Sequence, residues 1–226
     1  MFLAESRKTI DHSKRSFLNL FTGASALATV AMLLGPAASP DFRAIAAGQQ
    51  KKPSLGGDIA IATAAIQLEQ KAVNTYKAAI AADLIKNTDY LDLVVEFIND
   101  HGEHRDLLTR ALRTKLKGQQ PVIENLGTFP IPKQVTTGRE TEIIRYALAV
   151  EIVAAKTYHE AIKDKLSSDE AKGLVASILA VETQHAAVYR TVLMSVIKER
   201  GLADDNILVP FSFFSEQPMP QVYFMS

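Results

Sequence analysis

The sequence contains no cysteine at all, although it is 226 residues long. Disulfides, thiolate zinc sites, iron–sulfur centres and cysteine nucleophiles are therefore excluded. The chain also lacks an excess of charge, because 25 basic residues balance 25 acidic ones. A domain that binds nucleic acid usually carries a clear positive excess, so we expect no nucleic acid as a partner. With 47% hydrophobic residues, the chain has enough apolar material for one domain with a substantial core.

The first 47 residues have the three-part layout of an export signal. A charged beginning that includes Lys14 and Arg15 leads into a weakly apolar stretch at 17–34, and small residues follow. The sequence SKRSFLN at 13–19 is similar to the twin-arginine motif, with Lys14 in place of the first arginine. We expect residues 1–47 to be a twin-arginine-like signal peptide and the protein to be periplasmic. The alternative is an uncleaved membrane anchor, since the stretch at 17–34 is just long enough to span a bilayer.

Helical periodicity occurs four times after residue 57, whereas no stretch alternates with period two for long enough to predict a strand. Short links near 84–88 and 166–167 require antiparallel neighbours. The segment 118–137, with three prolines, has the length of a crossover between two helical hairpins. The predicted fold is an all-α four-helix bundle at 58–200. Its parts are a first hairpin (58–117), the crossover (118–137) and a second hairpin (138–200).

Polar residues mark where two of these helices are expected to begin. Asp58 follows two glycines and is predicted to cap the first helix. Ser167 and Glu170 are spaced as a capping box, which predicts that the fourth helix begins at this point.

The two predicted hairpins repeat each other in sequence. The segment LEQKAVNTYKAAI at 68–80 aligns without gaps on VEIVAAKTYHEAI at 150–162, and His104 corresponds to His185. Such internal symmetry implies that one helical hairpin is used twice and faces itself across a pseudo-twofold axis.

The inner stripe of each helix is apolar except near its middle. Burying ionisable side chains there without partners costs roughly several kcal/mol for each one. A pair of divalent metal ions is the simplest group that stabilises carboxylates and neutral imidazoles together in such a place. The candidate metal ligands at these positions are Glu69, His101, His104, Glu151, Glu182 and His185.

This pattern resembles the ferritin-like di-metal carboxylate proteins, a superfamily that includes rubrerythrins, bacterioferritins and manganese catalases. Their site takes one glutamate from each of two helices and a Glu-x-x-His pair from each of the other two. The resemblance implies that Glu69 and Glu151 are the single glutamates. It also implies that Glu182 and His185 form one Glu-x-x-His pair, and that His104 is the histidine of the other.

His101 stands where the family usually has a bridging glutamate. The site therefore has three carboxylates rather than four, and two divalent ions would leave a net positive charge. One interpretation makes His101 a terminal ligand in a nitrogen-richer centre with two iron or manganese ions. The alternatives are a site for a single metal ion and a polar core without metal.

Three further residues are candidates for supporting the ligands. Tyr76 and Tyr158 lie two turns from the single glutamates and either hydrogen-bond to ligands or serve as core aromatics. Asp100, beside the histidine pair, either orients an imidazole or is a solvated helix charge.

The resemblance implies an exported oxidoreductase whose dinuclear iron or manganese centre acts on a small oxidant such as peroxide or dioxygen. Because the chain has no cysteine, it lacks the rubredoxin-type iron centre of classical rubrerythrins, and electrons would come from an external donor or not be needed. The alternatives are a non-catalytic envelope or stress-associated binding protein and a protein of metal trafficking or storage. A homodimer is a further open alternative.

The segment 201–226 forms an apolar tail with several aromatic residues. We expect it to cover an open end of the bundle, and the alternative is contact with a partner or a membrane surface. Its aromatic residues are Phe211, Phe213, Phe214, Tyr223 and Phe224.

Overall fold

The computed structural model describes residues 25–49 and 52–196. Within these ranges the chain forms helices and no strand, which confirms the predicted all-α helical bundle. A 3₁₀ turn follows the first helix, and π-helical turns follow the two helices of the second hairpin. The helices are α1 (Ala26–Leu34), α2 (Pro40–Ala46), α3 (Leu55–Ala81), α4 (Thr88–Thr114), α5 (Lys133–Thr137), α6 (Glu140–Glu160) and α7 (Asp169–Thr191).

Side-chain caps mark where α3 and α7 begin, and both caps differ from the prediction. The Ser54 hydroxyl accepts a hydrogen bond from the Gly57 amide, so α3 begins before Asp58. The α7 cap is Ser168, one residue after the predicted Ser167, and its hydroxyl accepts from the Ala171 amide. In both cases the serine adopts the extended backbone conformation that an N-cap requires.

Asp58 joins the two hairpins instead of capping its own helix. Its carboxylate is fully buried and accepts hydrogen bonds from the Ser167 amide and hydroxyl, each at 2.7 Å. It also accepts from the Ser168 amide at 3.0 Å. The start of α3 is thereby fixed to the link between α6 and α7.

The helices of each hairpin pack against each other along their length: α3 with α4, and α6 with α7. The crossover between the hairpins is attached to α3 by three polar side chains on adjacent turns of this helix. Lys71 donates to the Leu126 carbonyl, Asn74 donates to the Gly127 carbonyl, and the Thr75 hydroxyl accepts from the Phe129 amide. The short helix α5 inside the crossover was not predicted from the sequence.

Two apolar clusters fill the bundle, one toward each end. One includes Ile61 and Leu108, and the other includes Phe97 and Ile144. The six candidate metal ligands lie between these clusters. The core is therefore apolar above and below one buried polar layer.

The segment α1–α2 packs against the bundle, although its sequence lies inside the predicted signal peptide. Leu27, Val30 and Phe42 are each only 1% exposed and belong to the same apolar cluster as the bundle core. The Glu160 carboxylate accepts hydrogen bonds from the first amides of α1. No helix among the described residues is both long and apolar enough to cross a bilayer. The motif at 13–19 and the predicted tail at 201–226 lie outside the described residues.

Candidate metal centre

All six predicted metal ligands lie together in the polar layer between the two apolar clusters. Each side chain comes from the middle of a long helix, so none depends on a loop for its position. They are almost completely buried, with exposures between 0% for Glu151 and 5% for His104.

The six side chains form two overlapping groups of four donors. Within each group, one ligand atom per residue lies within 4.8 Å of the others. His101 and Glu182 belong to both groups. The first group is completed by Glu69 and His104, and the second by Glu151 and His185.

Short distances between nitrogen and oxygen atoms define the first group. His101 Nδ1 lies 2.7 Å from Glu69 Oε2 and 3.6 Å from Glu182 Oε1. His104 Nδ1 lies 3.0 Å from Glu182 Oε1 and 3.7 Å from Glu69 Oε2. Two imidazoles and two carboxylates therefore face a common centre.

The shortest nitrogen–oxygen distances in the second group are longer than those in the first. His101 Nε2 lies 3.4 Å from Glu151 Oε1, and His185 Nδ1 lies 3.4 Å from Glu151 Oε2. The two oxygens of Glu151 thus face two different imidazoles. His185 uses its other ring nitrogen, Nε2, to contact Asp100 Oδ2 at 3.0 Å.

Several polar atoms of the cluster make no hydrogen bond of good geometry with a described residue, although His104 Nδ1 and Glu182 Oε1 lie only 3.0 Å apart. They include both carboxylate oxygens of Glu182, one oxygen of Glu151, and Nδ1 of both His104 and His185. Buried polar atoms in folded proteins are almost always paired, so such a concentration needs an explanation. Carboxylate oxygens and imidazole nitrogens are ligands that suit iron and manganese. The donor set therefore fits a metal site.

Two tyrosines hold the single glutamates in a crosswise arrangement. Tyr76 on α3 donates its hydroxyl hydrogen to Glu151 on α6, and Tyr158 on α6 donates to Glu69 on α3. The two pairs are related by the sequence repeat. Burial, together with these carboxylates, raises the pKa of both tyrosines well above the usual value, so both hydroxyls stay protonated and can donate.

Asp100 and Phe97 position the His185 ring. The Asp100 carboxylate contacts one nitrogen and leaves Nδ1 directed to the cluster. The Phe97 ring stacks on the imidazole with a centroid separation of 3.9 Å and an interplanar angle of 27°. Asp100 was a candidate from its sequence position, whereas no role was predicted for Phe97. The signal was its position, four residues before His101 on the same stripe.

The three buried carboxylates differ in their ionisation. Burial opposes ionisation of Glu69, but the neighbouring imidazoles of His101 and His104 lower its pKa to about 2. Burial likewise opposes ionisation of Glu151, yet His101 and His185 hold its pKa well below 4.5. At Glu182, burial and the nearby Glu69 charge raise the pKa well above 4.5. Without metal, the surroundings of Glu182 therefore favour its protonated form.

The imidazoles compensate the two ionised carboxylates. Burial alone would lower the pKa of His101, but Glu182 and Glu151 raise it well above 6.5. Burial is outweighed in the same way at His104, whose pKa Glu69 raises. The metal-free cluster is thus stabilised by protons at positions that a divalent ion would occupy.

One comparison with known proteins identifies the family of the chain. The family model described as a ferritin-like domain matches residues 57–195, which is more than half of the chain. The chain belongs to the ferritin-like family. The matched residues run from the first turn of α3 to the π-helical turn after α7 and contain all six cluster residues. The comparisons with curated proteins and with solved structures found no match.

Proposed function

We propose that this ferritin-like protein binds two iron or manganese ions in its His–Glu cluster and uses them in redox chemistry on a small oxidant. The observation that carries the proposal is the set of buried donor atoms on Glu151, Glu182, His104 and His185 that make no hydrogen bond of good geometry with a described residue. Two overlapping donor groups of four residues each support two metal positions rather than one.

The residues of the chain have separate tasks in this proposal. Tyr76 and Tyr158 hold Glu151 and Glu69 by each donating a hydrogen bond to Oε1 of the carboxylate, so Oε2 of both glutamates faces a cluster imidazole without a tyrosine contact. Asp100 fixes the orientation of His185. The apolar clusters on both sides exclude water from the buried layer. Iron or manganese held there would supply the change of oxidation state that the reaction requires.

An apolar cavity next to the cluster favours dioxygen as the oxidant. It has a volume of about 40 Å³, and its wall includes Tyr76, which donates to Glu151, and Tyr189. The remaining wall is mostly aliphatic, with Val94, Ile144 and Ala147 among its residues. Hydrogen peroxide would have to give up its hydrogen bonds with water to enter such a cavity, whereas dioxygen would not.

Oxidant consumption by the metal-loaded protein tests the proposed chemistry. We expect Glu151→Gln to abolish the loss of dioxygen or peroxide that the loaded wild type shows. Glu103→Gln is the matched control, because Glu103 lies on the same turn as His101 and His104 but is exposed. Equal consumption by wild type and Glu151→Gln would contradict the proposal.

A variant of the cavity distinguishes the two oxidants. Ala147→Val narrows the cavity, because Ala147 lines it, and leaves the six cluster residues themselves unchanged. If dioxygen reaches the cluster through the cavity, this variant slows dioxygen consumption and leaves peroxide consumption unchanged. Equal slowing of both reactions would contradict dioxygen as the preferred oxidant.

We also propose that the protein is exported to the periplasm, on the support of the twin-arginine-like sequence at 13–19. The packing of α1 and α2 on the bundle favours a mature protein that keeps residues 25–47. The N-terminal sequence of the protein recovered from the periplasm tests both points. A start at or before Ser25 agrees with retention, and a start near residue 48 contradicts it.

A further inference from the structure

His101 is the one histidine shared by both donor groups. Its two ring nitrogens face different carboxylates on different helices. Nδ1 lies 2.7 Å from Glu69 on α3, and Nε2 lies 3.4 Å from Glu151 on α6. The ring therefore spans the space between the two groups.

Neighbouring rings fix this orientation. The Tyr76 ring stacks on His101 with a centroid separation of 5.6 Å and an interplanar angle of 22°. The His104 ring is almost perpendicular to it at 87°, and the His185 ring is inclined at 68°. His101 thus lies across the rings of the other two histidines, with one of them in each donor group.

We propose that His101 bridges the two metal positions as an imidazolate, with Nδ1 bound to one ion and Nε2 to the other. The proposal rests on the proposed dinuclear site and specifies how its two halves are joined. Binding of the two ions replaces the protons on both ring nitrogens of His101, which are released to solvent, and no electron is transferred in this step. Glu69 and His104 complete the Nδ1 side, and Glu151 and His185 complete the Nε2 side.

A bridging imidazolate sets a longer distance between the metal ions than a bridging carboxylate does. Two metal–nitrogen bonds of about 2.1 Å and the width of the ring between them give a separation of about 6 Å. Dinuclear sites with oxygen bridges have separations of about 3.5–4 Å. The replacement of a bridging glutamate by His101 would therefore change the spacing of the centre, not only its charge.

Glu182 is the other residue common to both groups. Neither of its oxygens accepts a hydrogen bond of good geometry from a described residue, although Oε1 lies 3.0 Å from His104 Nδ1. Loss of Glu182 therefore removes a ligand from both positions and says nothing about the bridge. Substitution of His101 tests the bridge, because the two ring nitrogens are what distinguish an imidazole bridge from a carboxylate bridge.

Anomalous diffraction from crystals of the full chain loaded with Mn²⁺ tests the proposal. The expected result is two anomalous peaks about 6 Å apart, with Nδ1 and Nε2 of His101 each bound to one of them. Two peaks about 4 Å apart, with only one His101 nitrogen bound, would overturn the bridge and leave the dinuclear function intact. Fewer than two bound ions would overturn both.

The separation of the metal ions in two variants provides a second test of the bridge. His101→Glu is expected to keep both ions and shorten their separation to about 4 Å. His104→Gln is the control, because it removes a donor from the Nδ1 side alone. It should lower occupancy at that position and leave the separation unchanged in molecules that hold both ions. An unchanged separation in His101→Glu would overturn the proposal, and if that variant does not fold, the wild-type crystals decide.

Discussion

At the residue scale, His101 and Glu182 carry protons in the metal-free cluster that metal binding must displace. Their surroundings raise both pKa values, but for different reasons. The carboxylates around His101 stabilise its protonated form, whereas burial and the Glu69 charge penalise ionisation of Glu182. For His101 this contribution is fully present below the ordinary histidine pKa of 6.5 and is lost as pH rises through the higher folded-state value.

We therefore predict that the difference in melting temperature between metal-loaded and metal-free protein widens as pH rises above 6.5, the ordinary histidine value. Metal-free protein should lose stability over this range, and the apparent Mn²⁺ affinity should rise because fewer protons compete. Thermal unfolding with and without Mn²⁺ at several pH values measures both effects. A melting-temperature difference that stays constant or narrows with rising pH would contradict the raised pKa of His101 in the metal-free protein.

Gly102 separates the two histidines of α4, and no packing accounts for it. A Cβ atom at this position would meet no described heavy atom within 4 Å. We predict that Gly102→Ala stabilises the protein by about 0.5–1 kcal/mol, because alanine loses less conformational freedom in a helix. Gly173→Ala on α7, where a Cβ atom also has open space, is the matched control and should give a similar gain. Denaturant unfolding of both variants measures the effect, and a loss of stability in Gly102→Ala alone would refute it.

The sequence was sufficient to bring the six cluster residues together, because the 3.6-residue period places each on an inner stripe. It could not give the crosswise tyrosine–glutamate pairs, since each pair joins residues of different hairpins. It also gave Asp58 a local role as a cap, whereas the structure uses this carboxylate to bind the α6–α7 link. Contacts between distant segments leave no periodic trace in a sequence.

At the element scale, the crossover acts as a fixed part of the core. Phe129 is 1% exposed, and its amide is bonded to the Thr75 hydroxyl of α3. The Lys71 ammonium lies 6.0 Å from the centre of its ring. From its proline content and length, the sequence predicted only that this segment connects the hairpins.

We predict that Phe129→Ala lowers the free energy of unfolding by roughly 3–5 kcal/mol, because it leaves a cavity beneath the crossover. Val122→Ala is the control within the same segment, since Val122 is 74% exposed and should change stability little. Urea unfolding of the two variants measures both values. Similar small effects of the two substitutions would show that the crossover is not part of the core.

At the scale of the whole molecule, α1 and α2 extend the fold beyond the four predicted helices. The apolar run in which Leu27 and Val30 lie has the composition of a signal peptide as well as that of a packed helix. Composition alone could not distinguish the two interpretations, because both require a run of apolar and small residues. The sequence could not reveal that the Ala26 amide at the start of α1 donates a hydrogen bond to the Glu160 carboxylate.

We predict that Leu27→Ala lowers the free energy of unfolding of the bundle by about 2–5 kcal/mol, within a single cooperative transition. The control is Met32→Ala in the same helix, because Met32 is 51% exposed and should have little effect. Unfolding followed by circular dichroism measures the change. An effect of Leu27→Ala no larger than that of Met32→Ala would mean that α1 contributes nothing to the stability of the bundle.

The central claim is that the buried layer of Glu69, His101, His104, Glu151, Glu182 and His185 binds metal, and metal content tests it most directly. Elemental analysis of the purified wild type, Glu182→Ala and the surface control Glu103→Ala is the decisive measurement. We predict about two equivalents of iron or manganese per chain in the wild type and in Glu103→Ala, and their loss in Glu182→Ala. Wild-type protein without metal, or equal metal content in all three proteins, would contradict the account.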